Sequence, residues 1–322
     1  MHKRSLLKWG AATLALTTGA PFAAAPPWPT KPLTLFVAFA PGGAGDIVAR
    51  FLAKKLGERL GQPVIIENRP IPVAAVSAVV RAKPDGHTLV MAGSGTALTS
   101  ALFTTLPYDL MTDLVHVSTL ASFDLTLVTE PRSALDSVAD VIAFAKAHPG
   151  KVNIATVRLG STQNLAAEMF KAMTGIDAVI VPYRTTAEVI SAVRSKDVHV
   201  AFEMLPPMLT QITGKSVKAL AVTSGSRFAG LPAIPTVAES GVPGFEATSW
   251  NGISVPAGTP SAIVERLSTE IAAAMASPDV RQELQAAGMA AKGSTPAQMA
   301  TRMRDDIAKW RAVIDKAGIP RQ

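Results

Sequence analysis

Short apolar runs rich in β-branched residues alternate along most of this chain with longer segments whose apolar residues recur at helical spacing, and that alternation constrains the fold most. A strand buries alternate residues and a helix buries a stripe, so the two patterns together require layers of helix packed on sheet. Strands are expected at 33–39, 63–66, 88–92, 115–121, 125–129, 152–156, 178–182, 198–202, 218–223 and 252–255. Helices are expected at 46–60, 73–82, 137–147, 162–173, 186–195, 206–213, 261–276, 279–287 and 296–317. No internal repeat, low-complexity tract or long linker interrupts the alternation, and Pro/Gly-rich stretches at 230–244 and 256–260 read as loops.

The first 25 residues have a different character. His2, Lys3, Arg4 and Lys8 make a positive start, residues 6–20 are mostly apolar, and Ala23-Ala24-Ala25 offers a small-residue cleavage site before Pro26. The apolar part is too short, with Pro21 at its end, for a retained anchor, which needs ~20 residues. The segment reads as a signal peptide, residues 1–25, of the general secretory type. The run Lys3-Arg4-Ser5-Leu6-Leu7-Lys8 also resembles a twin-arginine signal with lysine in first place. A periplasmic product cleaved after Ala25 is the expectation.

Without the leader, 28 basic residues stand against 24 acidic ones, a formal charge of +4 compared with +7 for the whole chain. The basic residues are dispersed and aromatic content is 5%, so neither a phosphate-tracking groove nor a base-stacking platform is indicated and no nucleic-acid partner is expected. The absence of cysteine excludes a thiol nucleophile, disulfides and thiolate metal sites, although the exported compartment permits disulfides. Apolar composition of 48% over about 297 mature residues suffices for two domains, each with its own interior.

Chemistry concentrates at two turns. Phe39-Ala40-Pro41-Gly42-Gly43-Ala44-Gly45-Asp46 follows a strand and opens a helix, so it offers unpaired backbone N–H groups to an anion. Pro41 restricts one φ, the glycines let the backbone turn tightly, and Asp46 is read as a helix cap accepting from the first free N–H groups. A P-loop is excluded, because Asp46 stands near the place of its lysine. A dinucleotide fold is a closer rival, with Glu67 at the expected ~20-residue distance for a ribose-binding acid, yet the third glycine of that fingerprint is missing. The second turn, Thr156-Val157-Arg158-Leu159-Gly160-Ser161-Thr162-Gln163-Asn164, mirrors the first: Gly160 frees the backbone, and Ser161 and Thr162 can each cap the helix or bond an anion. Two helix N-termini of this kind invite a cleft between them.

The remaining polar residues do not assemble an enzyme. His87, His116, His148 and His199 lack metal-ligand spacing, and Gly93-Ser94-Gly95-Thr96 lacks the nucleophile-elbow pattern. No metal and no cofactor are expected. The stripe Leu165, Met169, Ala172, Met173 reads as core, and Met303, Ile307, Trp310, Ile314 as a helix face packed on one lobe.

A series of motifs then carries a family resemblance. Trp28-Pro29-Thr30-Lys31-Pro32, Phe39-Ala40-Pro41-Gly42-Gly43 with Asp46, Gly61-Gln62-Pro63-Val64 into Glu67-Asn68-Arg69-Pro70, Pro84-Asp85-Gly86, Leu106-Pro107-Tyr108-Asp109, Val181-Pro182-Tyr183, Leu220-Ala221-Val222-Thr223, Ile234-Pro235-Thr236-Val237-Ala238-Glu239 and Pro256-Ala257-Gly258-Thr259-Pro260 occur in order. From residue 28 to the C-terminus the chain resembles the Bug family, the extracytoplasmic solute receptors of tripartite tricarboxylate transporters. The resemblance implies an α/β type II periplasmic binding protein, with lobe 1 from 26–128 plus 250–322, lobe 2 from 129–249, and a ligand carboxylate held between the two glycine turns. It implies ligand contacts at Phe39, Gly42 and Gly43, at Thr156, Gly160, Ser161 and Thr162, and at Ser94, Tyr183 and Glu203. A small carboxylate and a membrane permease are the implied partners.

This chain departs from the family pattern at several places. Ile71-Pro72-Val73-Ala74-Ala75 replaces a glycine-rich loop, Arg158-Leu159 stand where small or polar residues are common, Asn164 replaces a frequent histidine, Thr185 a frequent glycine, and Glu203 a frequent aspartate. Arg158 can pair with a second ligand carboxylate, pair with Glu203, or face water. The function expected is capture of a small organic acid by lobe closure for delivery to a transporter. A nucleotide-dependent oxidoreductase on residues 33–67 and a ligand sensor docking to a membrane signalling protein are the alternatives.

Overall fold

A computed structural model describes residues 28–316 and 318–322. The expected leader and its cleavage site lie outside the described residues.

The elements in chain order are β1 (Leu33–Val37), α1 (Ala44–Leu60), β2 (Val64–Asn68), α2 (Pro72–Val80), β3 (Thr88–Gly93), α3 (Ser94–Leu102), β4 (Leu114–Thr129), α4 (Val138–Ala147), β5 (Val152–Val157), α5 (Thr162–Thr174), β6 (Ala178–Tyr183), α6 (Thr186–Arg194), β7 (Val200–Met204), α7 (Leu205–Thr213), β8 (Lys218–Val222), β9 (Thr248–Pro256), α8 (Ser261–Ala276), α9 (Pro278–Ala286), β10 (Met289–Ala291) and α10 (Pro296–Lys316). The strands run in the order β2-β1-β3-β9-β4-β7-β5-β6, with β10 and β8 also paired to β4. β1, β2 and β3 are mutually parallel, as are β5, β6 and β7, and each set connects through helices, which is how parallel strands must be joined. The result is two α/β lobes.

β4 belongs to both lobes. Leu114 to Asp124 pair antiparallel with β9, whereas Leu125 to Thr129 pair with β7 and β8. The change of partner coincides with a buried knot at Thr223. Its hydroxyl accepts from Leu125 N (2.9 Å) and donates to Ala247 O (2.6 Å), and its backbone N–H donates to Leu125 O at 3.0 Å. One fully buried side chain therefore ties together the two segments that cross between the lobes.

Helix faces follow the sequence pattern where the core is broad. On α1, Val48, Leu52 and Leu56 are fully buried at a spacing of four, each worth ~1.5–3 kcal/mol relative to exposure. In lobe 2, Phe170, Phe202 and Phe245 form an aromatic cluster with ring centroids 5.6–6.2 Å apart. On α10, Met299 and Met303 pack beside Trp250, and Trp310 and Ile314 pack on α3.

Several expectations change. The runs 115–121 and 125–129 are one 16-residue strand, because Asp124, which looks like a break, is held in place by Ser224 Oγ at 2.8 Å. α3 and β10 are additional to the expected elements. The buried stripe of α5 is Leu165, Ala166, Ala167 and Phe170, while Ala172 and Met173 face solvent.

Candidate functional site

At the first turn, Gly42 takes φ 80° and Gly43 is the N-cap of α1, with extended backbone and no side-chain cap. Phe39 covers the turn, its ring so close to Gly45 that a Cβ there would fall 2.2 Å from Phe39 Cδ2. Asp46 is not the cap expected of it. It is the third helical residue, 2% exposed, and its carboxylate reaches back to the turn. Oδ2 accepts from Gly42 N (2.9 Å) and Arg50 Nε (2.9 Å), and Oδ1 accepts from Arg50 Nη2 (3.0 Å) and Asn68 Nδ2 (2.9 Å). Burial pushes the Asp46 pKa up, but the bonds from Arg50, Gly42 and Asn68 outweigh it and leave it below the ordinary value. Asn68 also donates to Phe39 O at 3.0 Å, so one amide fixes both ends of the turn.

The second turn repeats the device. Gly160 takes φ 71°, and its N–H donates to the side chain four residues on, Asn164 Oδ1, at 3.1 Å, as Gly42 does to Asp46. Ser161 is the N-cap of α5: its Oγ accepts from Asn164 N (3.1 Å) and donates to Val157 O (2.6 Å). Arg158 N donates to Tyr183 O at 2.8 Å, so Tyr183 supports the turn through its carbonyl, while its ring packs on the apolar cluster beneath α6.

With the glycines and caps occupied, the backbone N–H groups of Ala44, Gly45 and Asp46 in α1, and of Thr162 and Gln163 in α5, have no partner among the described residues. Both helices start at the carboxyl ends of parallel strands, where open α/β sheets place ligands, and each N-terminus carries about half a positive charge. The arrangement suits a carboxylate.

Contacts across the cleft bring the turns together. Arg158 Nη1 donates to the Pro70 carbonyl of lobe 1. A Cβ at Gly160 would lie 2.5 Å from Leu102 Cδ2 of α3, so a side chain there would displace the Leu102 side chain. Leu165 of α5 is buried with Leu98, Ala101 and Leu102 of α3 and with Trp310 and Ile314 of α10. Pro70 follows Asn68 closely, so contacts run continuously from the second turn to the first.

The other expected residues divide. Thr156 and Thr162 are buried beside the second turn, and Thr156 Oγ1 has no partner among the described residues. Glu203 is fully buried at the end of β7; Oε1 accepts from Gln163 Nε2 (2.6 Å) and Met204 N (2.7 Å), Oε2 has no partner among the described residues, and burial raises its pKa. It is not paired with Arg158. Ser94 begins α3, and its hydroxyl donates to Asp306 Oδ2 and accepts from Trp250 N, each at 3.2 Å, because α10 brings a carboxylate to that face. Sequence reasoning missed Asn68, Gln163, Pro70 and Asp306. Asn68 and Pro70 stand within the Glu67-Asn68-Arg69-Pro70 motif and Gln163 within the second turn, so Asp306 alone of the four left no local signal.

No group of three His, Asp or Glu among the described residues could hold a metal ion. Glu67, the candidate ribose acid, accepts instead from Arg69 Nε at 2.7 Å. A surface cavity of about 410 Å³ against α10, which includes Tyr108, Arg304 and Arg311 in its lining, shares no residue with either turn.

Two α/β lobes joined by crossing strands, with helix N-termini of both lobes at one cleft, define a periplasmic-binding-protein fold. The family model for the tripartite tricarboxylate transporter family receptor matches residues 48–319, and the chain belongs to that family. Protein BugT of Bordetella pertussis is 35% identical over 295 residues, which are 90% of this chain and 90% of that protein. Among solved structures, Rpa4515 of R. palustris with adipate superposes with a TM-score of 0.86 at 35% identity, covering 91% of this chain and 99% of that one. MatC (Rpa3494) from Rhodopseudomonas palustris with bound malate gives 0.81 at 27% identity, covering 89% and 100%.

Proposed function

We propose that this chain is an exported, periplasmic receptor that captures a small carboxylate between its two glycine turns and delivers it to the membrane permease of a tripartite tricarboxylate-type transporter, without chemistry on the ligand. The observation that carries the reading is the pair of matched turns: in each, a glycine N–H is bonded by a side chain four residues on, leaving first-turn N–H groups free in both lobes. Each helix N-terminus favours a carboxylate by ~0.3–1 kcal/mol when exposed and up to ~2 when partly buried. The adipate and malate held by the two relatives agree with this ligand class. We place the hinge where β4 changes partner, at 124–125, and at 247–248, slightly before the boundaries expected for lobe 1 (26–128 plus 250–322) and lobe 2 (129–249).

Native mass spectrometry of the protein purified from the periplasm tests this reading. A copurified organic acid, released on unfolding and chemically unchanged after prolonged incubation, is the expected result. A nucleotide in its place, or turnover of the bound acid, would contradict it.

A further inference from the structure

Arg158 is a cation at the cleft with no carboxylate partner among the described residues. Its backbone takes φ 21°, which a non-glycine residue adopts only when its surroundings impose it. Its guanidinium is accessible to solvent yet flanked by protein of both lobes, and this desolvation lowers its pKa with no carboxylate offsetting it. Arg302 is a contrast, because its desolvation is opposed by Asp306 and its guanidinium lies 4.7 Å from the centre of the Trp250 ring. Among the described residues, the single bond that Arg158 makes through its side chain is to the Pro70 carbonyl, and a carbonyl fixes one N–H without neutralising the cation. The other four N–H donors of the guanidinium have no partner among the described residues. A cation on the cleft rim with an open fork is matched by an anion with two oxygens.

The position of the group says where that anion belongs. Arg158 stands two residues before Gly160, so it flanks the N-terminus of α5, and the tie to Pro70 keeps the guanidinium on the rim rather than free to swing. The side chains on either side, Ile71 at 64% and Leu159 at 63% exposure, offer no donor to a distal group.

We propose that Arg158 is a specificity-determining residue, which receives the distal carboxylate of a linear dicarboxylate whose first carboxylate sits on the two turns. The inference rests on the receptor reading above, and its test keeps the two apart. Titration calorimetry compares straight-chain dicarboxylates from malonate to suberate with monocarboxylates of equal carbon number, on the mature wild type and on Arg158→Gln and Arg158→Gly. The glycine variant also relieves the positive φ. The readout is the ratio of the two affinities, because losing the Pro70 tie weakens both members of a pair alike. The best dicarboxylate is expected to exceed its partner by about tenfold or more in wild type, and the ratio to fall to about threefold or less in both variants. Wild type that binds the monocarboxylate equally well overturns the proposal, as does a ratio unchanged by the substitutions, which would leave Arg158 only a tie between lobes. If no acid of either kind bound, the carboxylate-receptor reading itself would fall, and this inference with it.

Discussion

Replacing Asp46 by alanine removes a carboxylate that accepts from Gly42, from Asn68 and twice from Arg50. The parts are unequal. The Arg50 side chain is 58% exposed and rehydrates when released, so its pair adds little. Asn68 is half-buried and loses a charged acceptor, worth ~1.5–3 kcal/mol, while the exposed Gly42 N–H can turn to water. The net destabilisation expected is about 2 kcal/mol, with slack in the first turn that weakens ligand binding. Asparagine is not a neutral substitute here. Each carboxylate oxygen faces two donors, so the amide NH₂ must meet donors whichever way it points, and about 1 kcal/mol or more is lost. The pH dependence has a definite sign. The folded pKa of Asp46 is lowered from 3.8, so its contribution is complete above that value and is lost as pH falls through the folded pKa. Urea unfolding at pH 3, 5 and 7 checks this: the gap between wild type and Asp46→Ala holds from pH 7 to 5 and narrows at pH 3. Asp46→Asn with wild-type stability but no ligand binding would refute the reasoning, because the carboxylate would then act on the ligand.

Three further outcomes follow from the same geometry. Glu203 has its pKa raised by burial, so its favourable share of stability is complete below the ordinary glutamate value and is lost as pH rises; Glu203→Gln keeps the acceptor for Gln163 and Met204, and its stability relative to wild type in urea unfolding should improve from pH 5 to 8. Small-angle scattering should show compaction on saturation with a bound acid, since one carboxylate can reach both turns only when the cleft is narrow; an unchanged profile would remove lobe closure from the account. The intact mass of the periplasmic product should match a chain starting at Pro26, and a stable cytosolic protein retaining Met1 would contradict export.

The fold and the turns were legible because their signals are local. In each turn a glycine at positive φ and a polar residue at the helix start lie within a few residues of one another, with Pro41 beside the glycine in the first, and β-branched runs mark most strands. α3 was not, because Ser94-Gly95-Thr96 has the composition of a loop; it is helical through the packing of Leu98, Ala101 and Leu102 against α10. Ser94 shows the same limit at the level of a side chain: its hydroxyl is directed by Asp306, 212 residues away in sequence, and no local pattern announces such a partner. Asp46 was recognised as part of the turn but misassigned, since a carboxylate at the third helical position can reach back to the turn as readily as one at the cap. The tie from Arg158 to Pro70 joins two turns of different lobes, so it follows only once the lobes are placed.

The central claim is that one carboxylate is shared by helix N-termini of both lobes. Amide NMR of the deuterated, assigned protein during titration with the acid that copurifies measures this directly. The amides of Ala44, Gly45, Thr162 and Gln163 are predicted to shift together, with one dissociation constant, downfield as expected for N–H groups taken up by an anion. Shifts confined to one helix, or saturation of the two helices at different ligand concentrations, would contradict the shared site.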